Sequence, residues 1–352
     1  MKNKNFRFVD INGLGHSGKG VITNYLSEFN GFYLYDELFE FDLFRINGGI
    51  LDLYHNCFDY WSPIRSSNSI TRFNNVAKRL SSSSISRIGI YNKILSYGTD
   101  YESIFDNCFM NETNNFISKI IISKESKEFW PYNNIEKSFI QILTIKLLRK
   151  LGIKKSEDFN YVDSKNFVEE LNNYLNNLYS NIVDPEKYHS ILMNNTFEPF
   201  RLNKGIRLLK NGKGIIVKRD PRDIFASSLY SPYIPAYEKN IDAKKIKKGF
   251  LSSHNVDLFI RNQKILYDNL EQENTERVLI LKYENLVLNY DNETLKVKKF
   301  LKLNDNDHVN KFKFFNPNLS KKNIGLWKKD EFKMINNKIK DALGEEICFQ
   351  KT

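Results

Sequence analysis

Phe6-Arg7-Phe8-Val9-Asp10-Ile11-Asn12 runs without a break into Gly13-Leu14-Gly15-His16-Ser17-Gly18-Lys19-Gly20, and this junction decides how the chain folds. The first seven residues are a short apolar run ending in glycines, the pattern of a buried strand. Residues 21–29 follow as a helix, and residues 31–35 (GFYLY) form a second strand that ends at Asp36 and Glu37. Strand, glycine turn, helix and strand make a βαβ unit, which calls for a parallel sheet. Two later apolar runs, 214–218 (GIIVK) and 278–282 (VLILK), read as strands covered on both faces.

Between them the pattern changes. Residues 39–190 carry few strand signals, while 135–150 (IEKSFIQILTIKLLRK) and 166–179 (NFVEELNNYLNNLY) have helical spacing. Polar stretches such as 81–84 read as loops, and 294–301 as a helix. The expected fold is α/β, a three-layer sandwich with a central parallel sheet. It is a P-loop-containing nucleotide-binding fold, one domain over residues 1–352 with a mostly helical insertion at about 50–190.

Bulk composition narrows the function classes. The 352 residues are 41% hydrophobic, enough for a sizeable core, and carry a formal net charge of +11. That balance suits an anionic ligand, a membrane surface or nucleic acid. The positive charge is spread, with small knots at 244–248 and 321–329, so a Lys-rich surface is expected and not a nucleic-acid footprint. Cys57, Cys108 and Cys348 lie far apart with no CxxC pair, which argues against a zinc site or a disulfide framework and fits a reducing compartment. The start, MKNKNFRFVDINGLG, has no apolar h-region, and no stretch is long and apolar enough for a bilayer span. A soluble, cytoplasmic protein without an integral membrane segment is expected.

The glycine loop fits two templates. Gly13, Gly15 and Gly18 make GxGxxG, with Asp36 or Glu37 at the second strand to meet a ribose hydroxyl, as in a dinucleotide site. The same residues read GxxxxGK, a phosphate loop with Lys19 as its cation. Both gather backbone N–H groups and a helix N-terminus around an anion. A nucleoside triphosphatase loop has Ser or Thr after the Lys to hold Mg²⁺, and here that residue is Gly20. The expected site holds phosphate with cations and without a metal. A second strand-to-helix turn, Lys218 to Leu229 (KRDPRDIFASSL), is another natural anion site; its plain alternative is an Arg–Asp network that locks the turn.

With these residues in place, the sequence resembles the sulfotransferase family that uses 3′-phosphoadenosine 5′-phosphosulfate. The family carries an RDPRD-type turn with a Ser eight residues after the first Arg, the two holding the donor's 3′-phosphate; Arg219 and Ser227 match. The family's 5′-phosphosulfate loop reads K/R-S-G-T-T. Here it is His16-Ser17-Gly18-Lys19-Gly20, so the positive charge has moved within the loop. Lys282-Tyr283-Glu284-Asn285-Leu286 resembles a strand-end YEDL. Residues 320–328 (SKKNIGLWK) resemble the C-terminal segment, with its G-x-W-K ending, that closes over the adenosine.

The resemblance implies that residues Gly15, His16, Ser17, Gly18, Lys19, Gly20 and Val21, together with Arg219, Ser227, Tyr283, Lys321, Lys322 and Asn323, bind the donor or its bisphosphate product. Lys19, His16 and the loop amides would stabilise leaving-group charge. Glu37, matching a Glu that some branches place after the second strand, is the expected base, with Asp36 and then His16 in reserve. The acceptor hydroxyl is expected on a glycan or small molecule, recognised by the helical insertion. Three rivals remain: an NAD-dependent oxidoreductase on GxGxxG, a small-molecule kinase on GxxxxGK, and a non-catalytic nucleotide-binding protein.

Overall fold

Strand β1 (Arg7–Asn12) is buried along nearly its whole length, which its apolar run requires. In the computed structural model it is the centre of a five-stranded sheet with β2 (Phe32–Tyr33), β3 (Ser190–Asn194), β4 (Gly212–Lys218) and β5 (Val278–Lys282), in the order β2-β3-β1-β4-β5. Every pairing is parallel. The described residues are 5–36, 39–82, 100–127, 137–153, 157–163, 165–230, 255–272, 274–345 and 347–348. The chain divides into two compact units, Met1–Asp42 with Val183–Thr352, and Leu43–Ile182.

Helices flank the sheet. On one face Val9, Ile11, Leu192, Ile215 and Val217 form a core with helix α1 (Gly20–Ser27) through Ile22, Tyr25 and Leu26. Two more helices of this unit, Tyr283–Leu288 and Tyr290–Leu301, add Leu286, Val287, Val297 and Leu301 to the same core. Each such side chain contributes about 1.5–3 kcal/mol by leaving water. On the strands' other side, a Cβ at Gly214 would fall 2.6 Å from Leu202, so the missing side chain lets the short helix Leu202–Ile206 lie close to the sheet. The run after α1 is pinned by Glu28. Its buried carboxylate accepts from His308 Nε2 at 2.7 Å and from the amides of Phe314 and Phe315 at 3.0 and 2.9 Å.

The second unit is mostly helical. Its helix Pro63–Ser81 starts where Ser62 accepts the Arg65 amide at 3.2 Å and proline occupies the first turn. Rings of Phe73, Phe116, Phe167 and Tyr174 join it to the helices Phe109–Ile120 and Phe167–Ser180 at centroid distances of 5.3–6.0 Å. The unit also holds an antiparallel pair, Ile121–Lys127 with Glu157–Val162. The helical reading of residues 39–190 misses this pair because its strands, IISKESK and EDFNYV, are polar and short. It also misses β3, a five-residue run whose periodicity does not separate strand from helix. Among the described residues, no helix is long and apolar enough to cross a membrane.

Candidate active site

Both parallel neighbours of β1 begin elsewhere in sequence, β3 on one side and β4 on the other. A crevice opens beyond the carboxyl ends of such strands where the connections part, and that is where α/β sheets bind ligands. The glycine loop fills this place. Ser17 N donates to Leu14 O at 3.0 Å and Val21 N to Gly18 O at 3.1 Å, so the chain turns twice before α1. His16 takes φ 61° and Gly18 φ 80°. A Cβ at Gly18 would sit 2.3 Å from the Tyr283 ring, so only glycine permits this close approach. At Gly20, the first residue of α1, a Cβ would meet nothing within 4 Å. The helix N-terminus has no side-chain cap and no acidic residue in its first turn, leaving its positive end to the loop.

A polar network holds the loop in place. Gly13 N donates to Asn195 Oδ1 at 3.1 Å, Asn195 Nδ2 to Glu40 Oε1 at 3.2 Å, and Lys19 Nζ to the same oxygen at 3.2 Å. Behind it, fully buried Asp10 accepts the amides of Thr196 and Phe197 and the Asn12 side chain, each at 3.0 Å. Burial pushes the Asp10 carboxyl up, against the pull of those hydrogen bonds and of Lys19. Asp36 is exposed. Glu37 lies outside the described residues.

The arginine turn meets the loop from β4. Arg219 is buried; its Nη1 donates to His16 O at 2.8 Å and its Nη2 to Asn323 O at 2.6 Å, while its guanidinium lies 4.9 Å from the Tyr283 ring centroid. One side chain thus ties the glycine loop to the C-terminal segment. The turn is locked by its neighbours. Asp220 and Arg222 form a buried pair at 2.7 Å, with Arg222 stacked 3.8 Å from the Trp327 ring centroid. Asp223 accepts Gly325 N at 2.9 Å and Trp327 N at 3.3 Å. Glu284 Oε1 accepts Asp220 N at 3.0 Å, and burial pushes that carboxyl up to about 7. The Arg–Asp lock and the contact of Arg219 with the glycine loop are therefore one structure, built by different side chains.

Polar atoms left over at this junction fit an anionic ligand. Among the described residues, Ser17 Oγ, His16 Nε2 and Arg219 Nε are buried without a hydrogen-bond partner. Such atoms are costly unless something pairs with them. Two of the three can donate to phosphate or sulfate oxygens as they stand. Burial, and then the Arg219 charge, hold His16 below the usual imidazole value, which favours its neutral form. Tyr283 is buried, with its hydroxyl 3.3 Å from Ser320 O. Val21 packs against the core beneath the loop. Ser227 lies late on the helix Pro221–Tyr230, half-buried, and Lys321 and Lys322 are exposed on the turn Lys321–Asn323. Among the described residues, no hydrogen bond joins these three to the glycine loop.

Sequence reasoning missed Asp10, Glu40 and Asn195. Asp10 left a signal, a lone acid inside an apolar strand just before the loop. Asn195 left none, because its strand was not recognised.

The sulfotransferase domain model matches residues 141–323, a span that holds the arginine turn, Tyr283 and the Lys321–Asn323 turn. No curated protein matches the chain. Among solved structures, it is similar to the sulfotransferase domain from the curacin biosynthetic pathway, at 12% identity over 95% of this chain and 97% of that one, with a TM-score of 0.37. It is also similar to a sulfotransferase from Mycobacterium avium, at 10% identity over 99% and 77% of the two chains, with a TM-score of 0.35. With more than half of its residues matched by that domain model, the chain belongs to the sulfotransferase family and is a transferase.

Proposed function

We propose that the enzyme takes the sulfuryl group of 3′-phosphoadenosine 5′-phosphosulfate and delivers it to a hydroxyl of a glycan or small molecule. The observation that carries this reading is the Arg219–His16 hydrogen bond, which joins the arginine turn to the glycine loop. A donor with phosphates at both ends of its nucleoside needs such a pair. The loop from Gly15 to Val21 takes the 5′-phosphosulfate, with Ser17 and Lys19 as its donors. Arg219, Ser227, Lys321, Lys322 and Asn323 serve the 3′-phosphate and adenosine, with Tyr283 packed beneath. The acceptor oxygen bonds to sulfur as the bond to the 5′-phosphate breaks, and its proton passes to Glu37. Lys19, His16 and the loop amides offset the charge left on that phosphate.

Glu40 is the second candidate for the base, because it lies 3.2 Å from Lys19 Nζ. In the same reading the helical insertion at about 50–190 recognises the acceptor, the enzyme works in the cytoplasm, and no metal takes part, since Gly20 offers no ligand where a metal-dependent loop has a hydroxyl.

The test is a thermal melt with 3′,5′-adenosine bisphosphate, NAD, and ATP with Mg²⁺. At 100 times its dissociation constant a ligand adds about 2.7 kcal/mol. The bisphosphate is expected to raise Tm well above the other two; a larger rise with NAD sinks the reading.

A further inference from the structure

The helix Phe139–Lys150 contains no buried residue. It holds its form through its own caps. Ser138 Oγ accepts the Gln141 amide at 3.3 Å, and Gln141 Oε1 accepts the Ser138 amide at 2.9 Å, a reciprocal box that fixes the first turn. Arg149 and Lys150 complement its C-terminal end.

Its side chains divide by direction. Ile142, Ile145 and Leu148 are half-buried and lie on the opposite side of the helix from the residues that follow. Phe139, Ile140, Leu143, Leu147 and Leu151 face water, with Phe139 78% exposed, Ile140 74% and Leu151 75%. At 100° per residue these five fall within an arc of about 120°; Lys146 borders it, and Lys150 lies within it at the C-terminal end of the helix. From Lys137 to Ile153 there are four cations and no acid, and the sequence continues with Lys154 and Lys155. A lone exposed leucine is ordinary, but a continuous stripe of large apolar residues on one helix marks an interaction surface.

We propose that this face docks on an anionic lipid bilayer, with the stripe in the acyl boundary and the flanking lysines at the headgroups. An apolar stripe with one lysine at its edge, another at its C-terminal end and no acid on the helix fits a helix lying in a membrane interface. The charge weighs against the simplest competitor, because across a two-fold axis the patch meets only itself and its cations find no acid to pair with. Two copies meeting through this face would share the same patch across a two-fold axis and set Lys146 and Lys150 against their own kind. A negatively charged surface turns those lysines into attraction. The proposal is independent of the identity of the sulfuryl donor.

The test is sedimentation of the full chain with phosphatidylcholine vesicles, with and without phosphatidylglycerol at half of the lipid, at low and high salt. Two double variants accompany it, Leu143→Asp with Leu147→Asp, and Lys146→Glu with Lys150→Glu. All four side chains are exposed, so unchanged melting and circular dichroism are expected. The chain should bind the anionic vesicles at least tenfold better than the neutral ones. Salt should weaken binding, since each lysine near such a surface is worth about fivefold. Either double variant should lose at least tenfold. Equal binding to both vesicle types, no binding, or undiminished binding by the lysine variant overturns the proposal. So does a dimer in light scattering that the leucine variant abolishes, which assigns the face to a second copy. If the leucine variant fails to fold, the lysine variant decides alone.

Discussion

Glu284→Gln probes the ground under the arginine turn. Glu284 is 5% exposed; one oxygen accepts the Asp220 amide and the other is buried without a partner. A carboxylate in this position is poorly solvated, and the proton it retains gives the orphaned oxygen a hydrogen. Its value rises from 4.5 to about 7. Between these pH values the folded protein holds a proton that the unfolded chain has released, so stability falls as pH rises through the window. At 1.36 kcal/mol per unit, this group alone costs about 2–3 kcal/mol between pH 5 and pH 8. Gln keeps the acceptor for Asp220 and does not titrate. Its own amide adds an offset that is the same at every pH. Asp10 and Asp223, also pushed up by burial, slope the same way; Asp10 is untouched by the substitution, while Asp223 loses a neighbouring carboxyl. Chemical denaturation of both proteins at pH 5, 6, 7 and 8 isolates Glu284. The stability of the Gln variant relative to the parent is expected to improve by about 2–3 kcal/mol from pH 5 to pH 8. Parallel profiles across that range would show Glu284 to be ionised and hydrated, and would refute the buried turn.

Gly18→Ala should destabilise by about 2–5 kcal/mol, combining left-handed backbone with a Cβ driven into the Tyr283 ring. Gly20→Ala should be neutral or stabilise by up to about 1 kcal/mol, since that position is open and helical; equal losses in urea unfolding would contradict the loop geometry. Glu37→Gln should keep bisphosphate binding and lose about 10²- to 10⁴-fold in turnover. Glu40→Gln should keep turnover and bind the bisphosphate no more weakly, because it frees Lys19 from a competing carboxylate in an ion pair worth up to about 1 kcal/mol. The reverse pattern in calorimetry and turnover assays would move the base from Glu37 to Glu40.

What could be read before the structure was whatever had a local cause. The run 6–12 makes a strand, the glycines make the turn, and the Arg219 turn announces itself through Pro221 and its alternating charges. The two strongest later strands, GIIVK and VLILK, are apolar enough to need cover on both faces. What escaped has a tertiary cause. β3 is specified by its place between β1 and β2, where all five residues are buried, and not by its own composition. Asn195 reaches the glycine loop because β3 brings it there, and Glu40 meets Lys19 from 21 residues further along the chain. Arg219 was read as a ligand for phosphate, and its hydrogen bonds to His16 and Asn323 depend on three segments that sequence distance keeps apart.

Strand order resolves the two templates that the glycine loop satisfies equally well in sequence. A dinucleotide fold sets its second strand directly beside the first, so the acid at that strand's end stands next to the glycine turn and can hold a ribose. Here β3 lies between β1 and β2. Two strand spacings separate them, roughly 9–10 Å. Asp36, exposed three residues beyond β2, is thereby removed from the place a ribose would occupy, and the GxGxxG match loses its third element. The same insertion has a second effect. It brings Asn195 from the end of β3 against Gly13 and, through Glu40, against Lys19, so the loop cation is oriented by the strand that displaced the acid. On the other side β4 delivers Arg219 to His16. The loop is thus held by an amide–carboxylate pair on one flank and by a guanidinium on the other, and both supports come from neighbours of β1 or the chain beyond β2. The strand order thus argues against a cofactor anchored by its ribose hydroxyls, and the donor proposed above, with phosphate at both ends, does not need that anchor.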